Sequence, residues 1–295
     1  MNSQLEDWLQ AINGQFGNEE IPYIRRPFEA ISRLSAERKI SVTIPSPLAD
    51  DIFKWFEEHS AVGAHAVGSM FTSAFYYDAY FWKLEIPIAY GTVQLNALDA
   101  LTRMPQRVKA QLQSDRSIMW RFVALWVDSM DYAYGIDDLG RGSRLPTKPN
   151  RDFAVQLTSS AHRELEATAR LLAESQVPNA KALETARMAT EIFLKAYLAV
   201  HGVLVELEAQ KKFGHNLEKL LSACQACRGG RELDDLSSHL TIFPSMGARY
   251  EGTEYENQLL WSGFAVALRT AVTFTRSLTD RDNRAQMLGP KRPYS

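Results

Sequence analysis

Ala182-Leu-Glu-Thr-Ala186-Arg-Met-Ala189-Thr-Glu-Ile-Phe193-Leu-Lys-Ala-Tyr197-Leu-Ala-Val200 is the stretch whose reading decides the fold. Ala182, Ala186, Ala189, Phe193, Tyr197 and Val200 recur at intervals of three and four, the period of one apolar helix face. The small alanines let neighbouring helices approach closely, and Gly202 stands where a C-terminal capping glycine belongs. Working outward, Phe153, Leu157, Ala161, Leu165, Thr168 and Leu172 predict a preceding helix with the same period. On the other side, Leu217, Leu220, Leu221 and Cys224 predict a third helix, with Asn216 as its N-cap. Leu233, Leu236 and Leu240 predict a fourth after Gly229-Gly230. Leu260, Phe264, Ala267, Ala271, Phe274 and Leu278 predict the last. Five helices with short connections make an antiparallel up-and-down bundle over 151–280.

The stretch Gly140-Arg-Gly-Ser-Arg-Leu-Pro-Thr-Lys-Pro-Asn150 has two glycines, two prolines and no apolar period, so 141–150 is expected to be a linker. Residues 1–140 then form a separate α+β domain of unknown role. Ser3 to Ile12 fit a short amphipathic helix, and Lys39 to Ile44 alternate like a strand stopped by Pro45 and Pro47. Leu48 to Glu58 read as helix, and the aromatic segment Ser69 to Ile88 as one or two strands. Gln94 to Met104, Pro105 to Gln113 and Ser117 to Tyr134 read as three further helices. The whole is mainly α, a helical bundle behind a helix-rich α+β domain. A flexible tail is expected over 281–295, where Gly289-Pro290 and Pro293 interrupt any period.

The 295 residues carry 33 lysines and arginines against 35 acids, a net charge of -2. That balance argues against a dedicated duplex-binding protein, which needs a basic excess, while leaving room for a local basic face. Two cysteines, Cys224 and Cys227, cannot build a disulfide framework. No run of about 18 apolar residues is present, and Met1 to Gln15 lack the pattern of a secretion signal. A cytoplasmic protein without membrane association is expected.

Four pieces stand in order along the bundle: Ala169-Arg-Leu-Leu-Ala-Glu-Ser175, the turn Val177-Pro-Asn, Ala186-Arg-Met-Ala-Thr-Glu-Ile-Phe-Leu-Lys-Ala-Tyr-Leu198 and Gly214-His-Asn-Leu217. Through them, residues 153 to about 279 resemble the HEPN superfamily. The resemblance implies a helical bundle that often forms a homodimer. It implies a bacterial stress, toxin–antitoxin or antiviral defence setting. Members act as ribonucleases or as non-catalytic partners of RNA, a nucleotide or a nucleotidyltransferase. The ribonuclease members share an arginine followed, after four to six residues, by a histidine late in the bundle. This chain departs from that pattern. Its last helix has Arg269 and Arg276 but no histidine, and Arg231 and His239 have seven residues between them. Metal-free RNA cleavage needs a base for the 2′-hydroxyl and a cation for the phosphorane. A non-catalytic binding module is therefore expected first. The alternatives are a metal-independent ribonuclease with a displaced Arg/His site, or a structural homodimer with an aromatic N-terminal interface.

Among single residues, Glu191 and Lys195 stand in the favourable order for a helix ion pair. Lys195 could instead meet a phosphate. His215 and Asn216 open a helix, where exposed amides attract anions, and His215 also suits a plain turn contact. Arg249 beside Tyr250 suits phosphate pairing plus stacking in an irregular loop, or simple loop packing. Lys195, His215, Asn216, Arg249 and Tyr250 are the candidate ligand residues, with His215 and Arg249 the candidate base and phosphate clamp of the ribonuclease alternative. No cofactor and no metal are expected. Cys224 and Cys227 have no second pair to complete a zinc site, and His59 and His65 lack ligands at useful spacing. Phe71, Phe75, Tyr76, Tyr77, Tyr80, Phe81 and Trp82 suit core or a subunit contact, or a stacking platform. Asp128, Asp131, Asp137 and Asp138 read as a solvated acidic patch.

Overall fold

A computed structural model describes residues 3–59, 69–140, 150–174, 179–206, 211–228, 231–244 and 255–288. Its first elements are α1 (Ser3–Asn18), α2 (Arg26–Arg38), β1 (Val42–Ile44), α3 (Pro47–Glu58), β2 (Phe71–Tyr77), β3 (Tyr80–Ile86) and β4 (Ile88–Tyr90). Helices follow: α4 (Gln106–Ser114), α5 (Arg116–Gly140), α6 (Arg151–Ala173), α7 (Lys181–Val200), α8 (Leu217–Arg228), α9 (Arg231–Leu236), α10 (Asn257–Leu278) and α11 (Asn283–Leu288). The chain is mainly helical.

Contacts divide it into two compact units, Met1–Met70 with Ile86–Ala100, and Phe71–Glu85 with Leu101–Ser295. The boundary expected at 141–150 is therefore not where the fold divides. Residues 141–149 lie outside the described residues. What joins the two sides is α5, which the linker reading assigned to a separate domain and which packs against α10.

In the first unit α1 continues to Asn18 because Phe16 prolongs its apolar stripe of Leu5, Leu9 and Ile12, all four buried. Helix α2, which carries no assignment from the sequence, buries Ala30, Ile31 and Leu34. Ser46 caps α3 by accepting from the Ala49 amide at 3.3 Å. Strand β1 pairs antiparallel with β4, Val42 opposite Tyr90 and Ile44 opposite Ile88. The core gathers Leu9, Phe16, Ile31, Ile52 and Phe56. The helix expected over Gln94 to Met104 is absent; a 3-10 turn, Ala97–Ala100, stands there instead. Asn96 Oδ1 takes the Leu98 amide at 3.2 Å. Pro105 then disfavours helical backbone at Met104.

The second unit holds the bundle. Helix α7 packs on α6, α10 packs on α7 and on α5, and β2 lies against α6. The hairpin of β2 and β3 turns through Asp78 and Ala79, both at positive φ (53° and 57°), as a two-residue connection requires. Ala182, Ala186 and Ala189 are fully buried, as the periodicity predicts. Gly202 caps α7 at φ +72°. The chain after α10 departs from expectation, because Asn283–Leu288 is helical and packs on α5 rather than forming a flexible tail. No helix among the described residues is long and apolar enough to cross a membrane.

Candidate functional site

Helix α7 and the turn before α8 bring two of the expected ligand residues together, on a carboxylate. Glu191 is buried and accepts from Lys195 Nζ at 2.8 Å and from His215 Nδ1 at 2.9 Å. Arg187, one turn earlier, lies 3.5 Å from the same carboxylate and donates to the His215 carbonyl at 2.7 Å. Asn216 is spent on its own helix, accepting the Lys219 amide at 2.9 Å as an N-cap. The Lys195 side chain is 13% exposed and already engaged. The arrangement ties the α8 turn to α7 through an internal anion, and a ligand phosphate would have to displace Glu191 to reach the cations. Two further candidate ligand residues, Arg249 and Tyr250, lie outside the described residues.

Several other sequence candidates pack into the core, while His59 and Tyr80 stay exposed. Cys224 is buried and donates to the Leu194 carbonyl at 3.4 Å, and burial pushes its thiol well up, away from redox reactivity. No group of metal-ligating side chains occurs among the described residues. Phe71, Phe75 and Phe81 are buried. His59 stacks on Trp55, with ring centroids 4.2 Å apart, and His65 lies outside the described residues.

The solvated reading of Asp128 and Asp131 is overturned. Both are 0% exposed. Arg276 of α10 grips each at 2.6 Å. Arg284 of α11 reaches Asp128 at 2.8 Å, and Asn283 donates its amide and side chain to Asp131. Burial pushes the Asp128 carboxyl above its ordinary range, against the pull of Arg276 and Arg284. Arg281 closes on Asp138 at 2.6 Å. These charges face each other, and their spacing explains why α11 is docked. A second buried polar contact joins Tyr132 of α5 to His162 of α6 at 2.8 Å.

An open site lies elsewhere. A cavity of about 450 Å³ runs between α5, α9 and α10, and Arg121, Asp235, Ser238, His239, Trp261 and Arg269 are among its lining residues. Its size falls in the range of small-ligand sites. Arg269 donates to the Asp235 carboxylate at 2.9 Å. His239 Nδ1 lies 3.0 Å from the Asp235 carbonyl and 2.8 Å from Ser238 Oγ. Nδ1 donates to that carbonyl in one tautomer and accepts from the Ser238 hydroxyl in the other, and His239 lines the cavity in either. Arg121 is exposed and makes no ion pair among the described residues. Trp261 meets Phe75 edge-on, centroids 6.0 Å apart, and Phe264 at a tilt, 6.1 Å apart. Two guanidiniums, an imidazole and a fixed indole around one cavity can hold an anion joined to a flat ring.

The cavity lining includes neither Lys195 nor His215. No local signal pointed to it. Arg269 and Asp235 are separated by 34 positions, and only the one-turn spacing of Asp235 and His239 is visible in sequence. Compared with known proteins, the chain matches no family model, no curated protein and no solved structure.

Proposed function

We propose that the second unit is a non-catalytic, HEPN-like binding module that takes RNA or a nucleotide in the cleft between α5, α9 and α10. The single observation that supports this is the meeting of Arg121, Arg269, His239 and Trp261 around one cavity. Charge-assisted pairing from the arginines serves a phosphate, and the indole face serves a base. The chain's near-neutral charge agrees with a local site rather than a broad electrostatic surface. The bacterial defence setting and the homodimer belong to the same proposal and come from the resemblance.

A metal-independent ribonuclease is the second reading, and one observation favours it. His239 and Arg269 are both tethered to Asp235, which supplies a base and a phosphate clamp from different elements. This pair replaces His215 and Arg249 as its candidates, since His215 is engaged by Glu191.

Labelled tRNA and mRNA fragments incubated with the protein in chelator separate the two. Retention without cleavage, lost in Arg269→Ala, is the expected result. Cleavage lost in His239→Ala would make the protein a ribonuclease. Retention and cleavage both unchanged in Arg269→Ala would remove the cleft from either reading.

A further inference from the structure

We infer that the cleft selects a terminal phosphate, a phosphomonoester carried by a nucleoside, and that Asp235 is the residue that sets the selectivity. This rests on the binding reading above and names the ligand chemistry of that same cleft.

The Arg269–Asp235 pair is lopsided. The Arg269 side chain is 12% exposed and that of Asp235 60% exposed, at 2.9 Å. Among the described residues the Asp235 carboxylate has no hydrogen-bond partner besides Arg269. Helix α9 is itself held, because Gln225 of α8 donates to the Leu233 carbonyl, the Asp234 carboxylate and Ser237 Oγ at 3.2–3.4 Å. Asp235 can therefore leave Arg269 by rotating its own side chain into water, with α9 staying in place. Its departure opens to the cleft the Arg269 Nη2 donor that it had occupied.

Asp235 is thus a tethered anion that any ligand must outcompete. A phosphodiester carries one charge, no more than the carboxylate it would replace. A phosphomonoester carries about −1.5 to −2 near neutral pH and offers three acceptor oxygens. Exchange favours the monoester and disfavours the internal phosphate of a nucleic-acid chain. Trp261 and Arg269 both stand on α10 and line the same cavity. Arg121 from α5 supplies a second cation to the same cavity.

Calorimetric titration of the full chain tests this with adenosine 5′-monophosphate, adenosine, and an RNA tetramer bearing either a 5′-phosphate or a 5′-hydroxyl. The wild type should bind the phosphorylated member of each pair at least about tenfold more tightly, the loss of one charged hydrogen-bonding group. Asp235→Asn should bind the phosphorylated ligands about two- to fivefold more tightly, as expected from removing an exposed ion-pair competitor. It should also narrow the preference over the 5′-hydroxyl tetramer. Tighter binding of the tetramer than of the mononucleotide would identify an RNA end as the source of the phosphate, and the reverse a free nucleotide. Equal binding of phosphorylated and hydroxyl forms by the wild type, or an unchanged preference in Asp235→Asn, overturns the selectivity while the cleft stands. No binding of any of the four, or binding undisturbed by Arg269→Ala in a variant with an unchanged melting temperature, overturns the cleft itself.

Discussion

Arg276→Ala is the most informative single change to the bundle. The guanidinium, 7% exposed, neutralises Asp128 and Asp131 at 2.6 Å each. Without it, Arg284 still meets Asp128 at 2.8 Å, and Asn283 still donates to Asp131 Oδ1. Two buried carboxylates are then left with one buried cation. Removing one partner from a buried ion pair costs about 3–5 kcal/mol, because an uncompensated charge stays desolvated. At roughly 2–4 °C per kcal/mol for a unit of this size, the melting temperature should fall by about 6–20 °C. Arg284→Ala leaves Arg276 bridging both acids, so its loss should be smaller, about 1–3 kcal/mol.

The pH dependence adds a second check. Burial already holds the Asp128 carboxyl above its ordinary range, and deleting a cation raises it further. A raised carboxyl contributes stability that is present at low pH and lost as pH rises through its folded-state value. Arg276→Ala should therefore recover part of its deficit below about pH 5, where the carboxyl can protonate. Thermal and urea unfolding followed by circular dichroism at neutral and mildly acid pH measures both effects. A loss under about 1 kcal/mol in Arg276→Ala would refute the reasoning, since that is the range of a solvated surface pair.

Glu191→Ala should cost about 3 kcal/mol, because it removes the buried carboxylate that Arg187 and Lys195 share. His215→Ala, with its side chain 63% exposed, should cost about 0.5 kcal/mol. Comparable losses in urea unfolding would contradict Glu191 as the hub. Burial lowers the affinity of His162 for a proton, opposed by Glu166. Its contribution to stability is therefore present above about pH 6.5 and lost as pH falls. His162→Gln should flatten that slope in urea midpoints taken across the range, and parallel curves would rule it out. A Cβ on Gly135 would sit 2.9 Å from the Thr275 Cβ, whereas one on Gly14 meets nothing within 4 Å. Gly135→Ala should then lose about 1 kcal/mol net, overpacking exceeding the gain in helix propensity. Gly14→Ala should gain up to about 1 kcal/mol, and equal melting shifts would show that the α5–α10 approach is not close.

The bundle's helices were legible because their burial is one-sided and periodic. Every alanine and aromatic picked from α7 is buried, and Asn216 caps α8 as its residue type suggests. What misled was local composition standing in for contacts. The glycines and prolines after Gly140 read as a domain boundary, yet α5 carries the acids that Arg276 needs, and those partners lie 145 and 148 positions apart. The same distance hid the fate of the tail, because Arg281, Asn283 and Arg284 look like a polar end until Asp131 and Asp138 are placed beside them. Two of the ligand candidates are engaged within the fold for a related reason. Lys195 and His215 are near each other as expected, but the carboxylate four residues before Lys195 already occupies the place of an anion.

That outcome yields a rule for reading arginines in this bundle. A cation close to a buried carboxylate with further partners is part of the fold, as Arg187, Arg276 and Arg284 are. At Arg269 the partner carboxylate, Asp235, is on the water side and held by nothing else among the described residues. An internal pair of that kind is stable without a ligand and reversible with one, because the exposed member regains its hydration when it leaves. On the proposed reading, the closed pairs serve stability and the half-open Arg269–Asp235 pair serves binding. The two properties should therefore separate by mutation: Asp235→Asn changes ligand affinity with little change in melting temperature, and Arg276→Ala does the opposite.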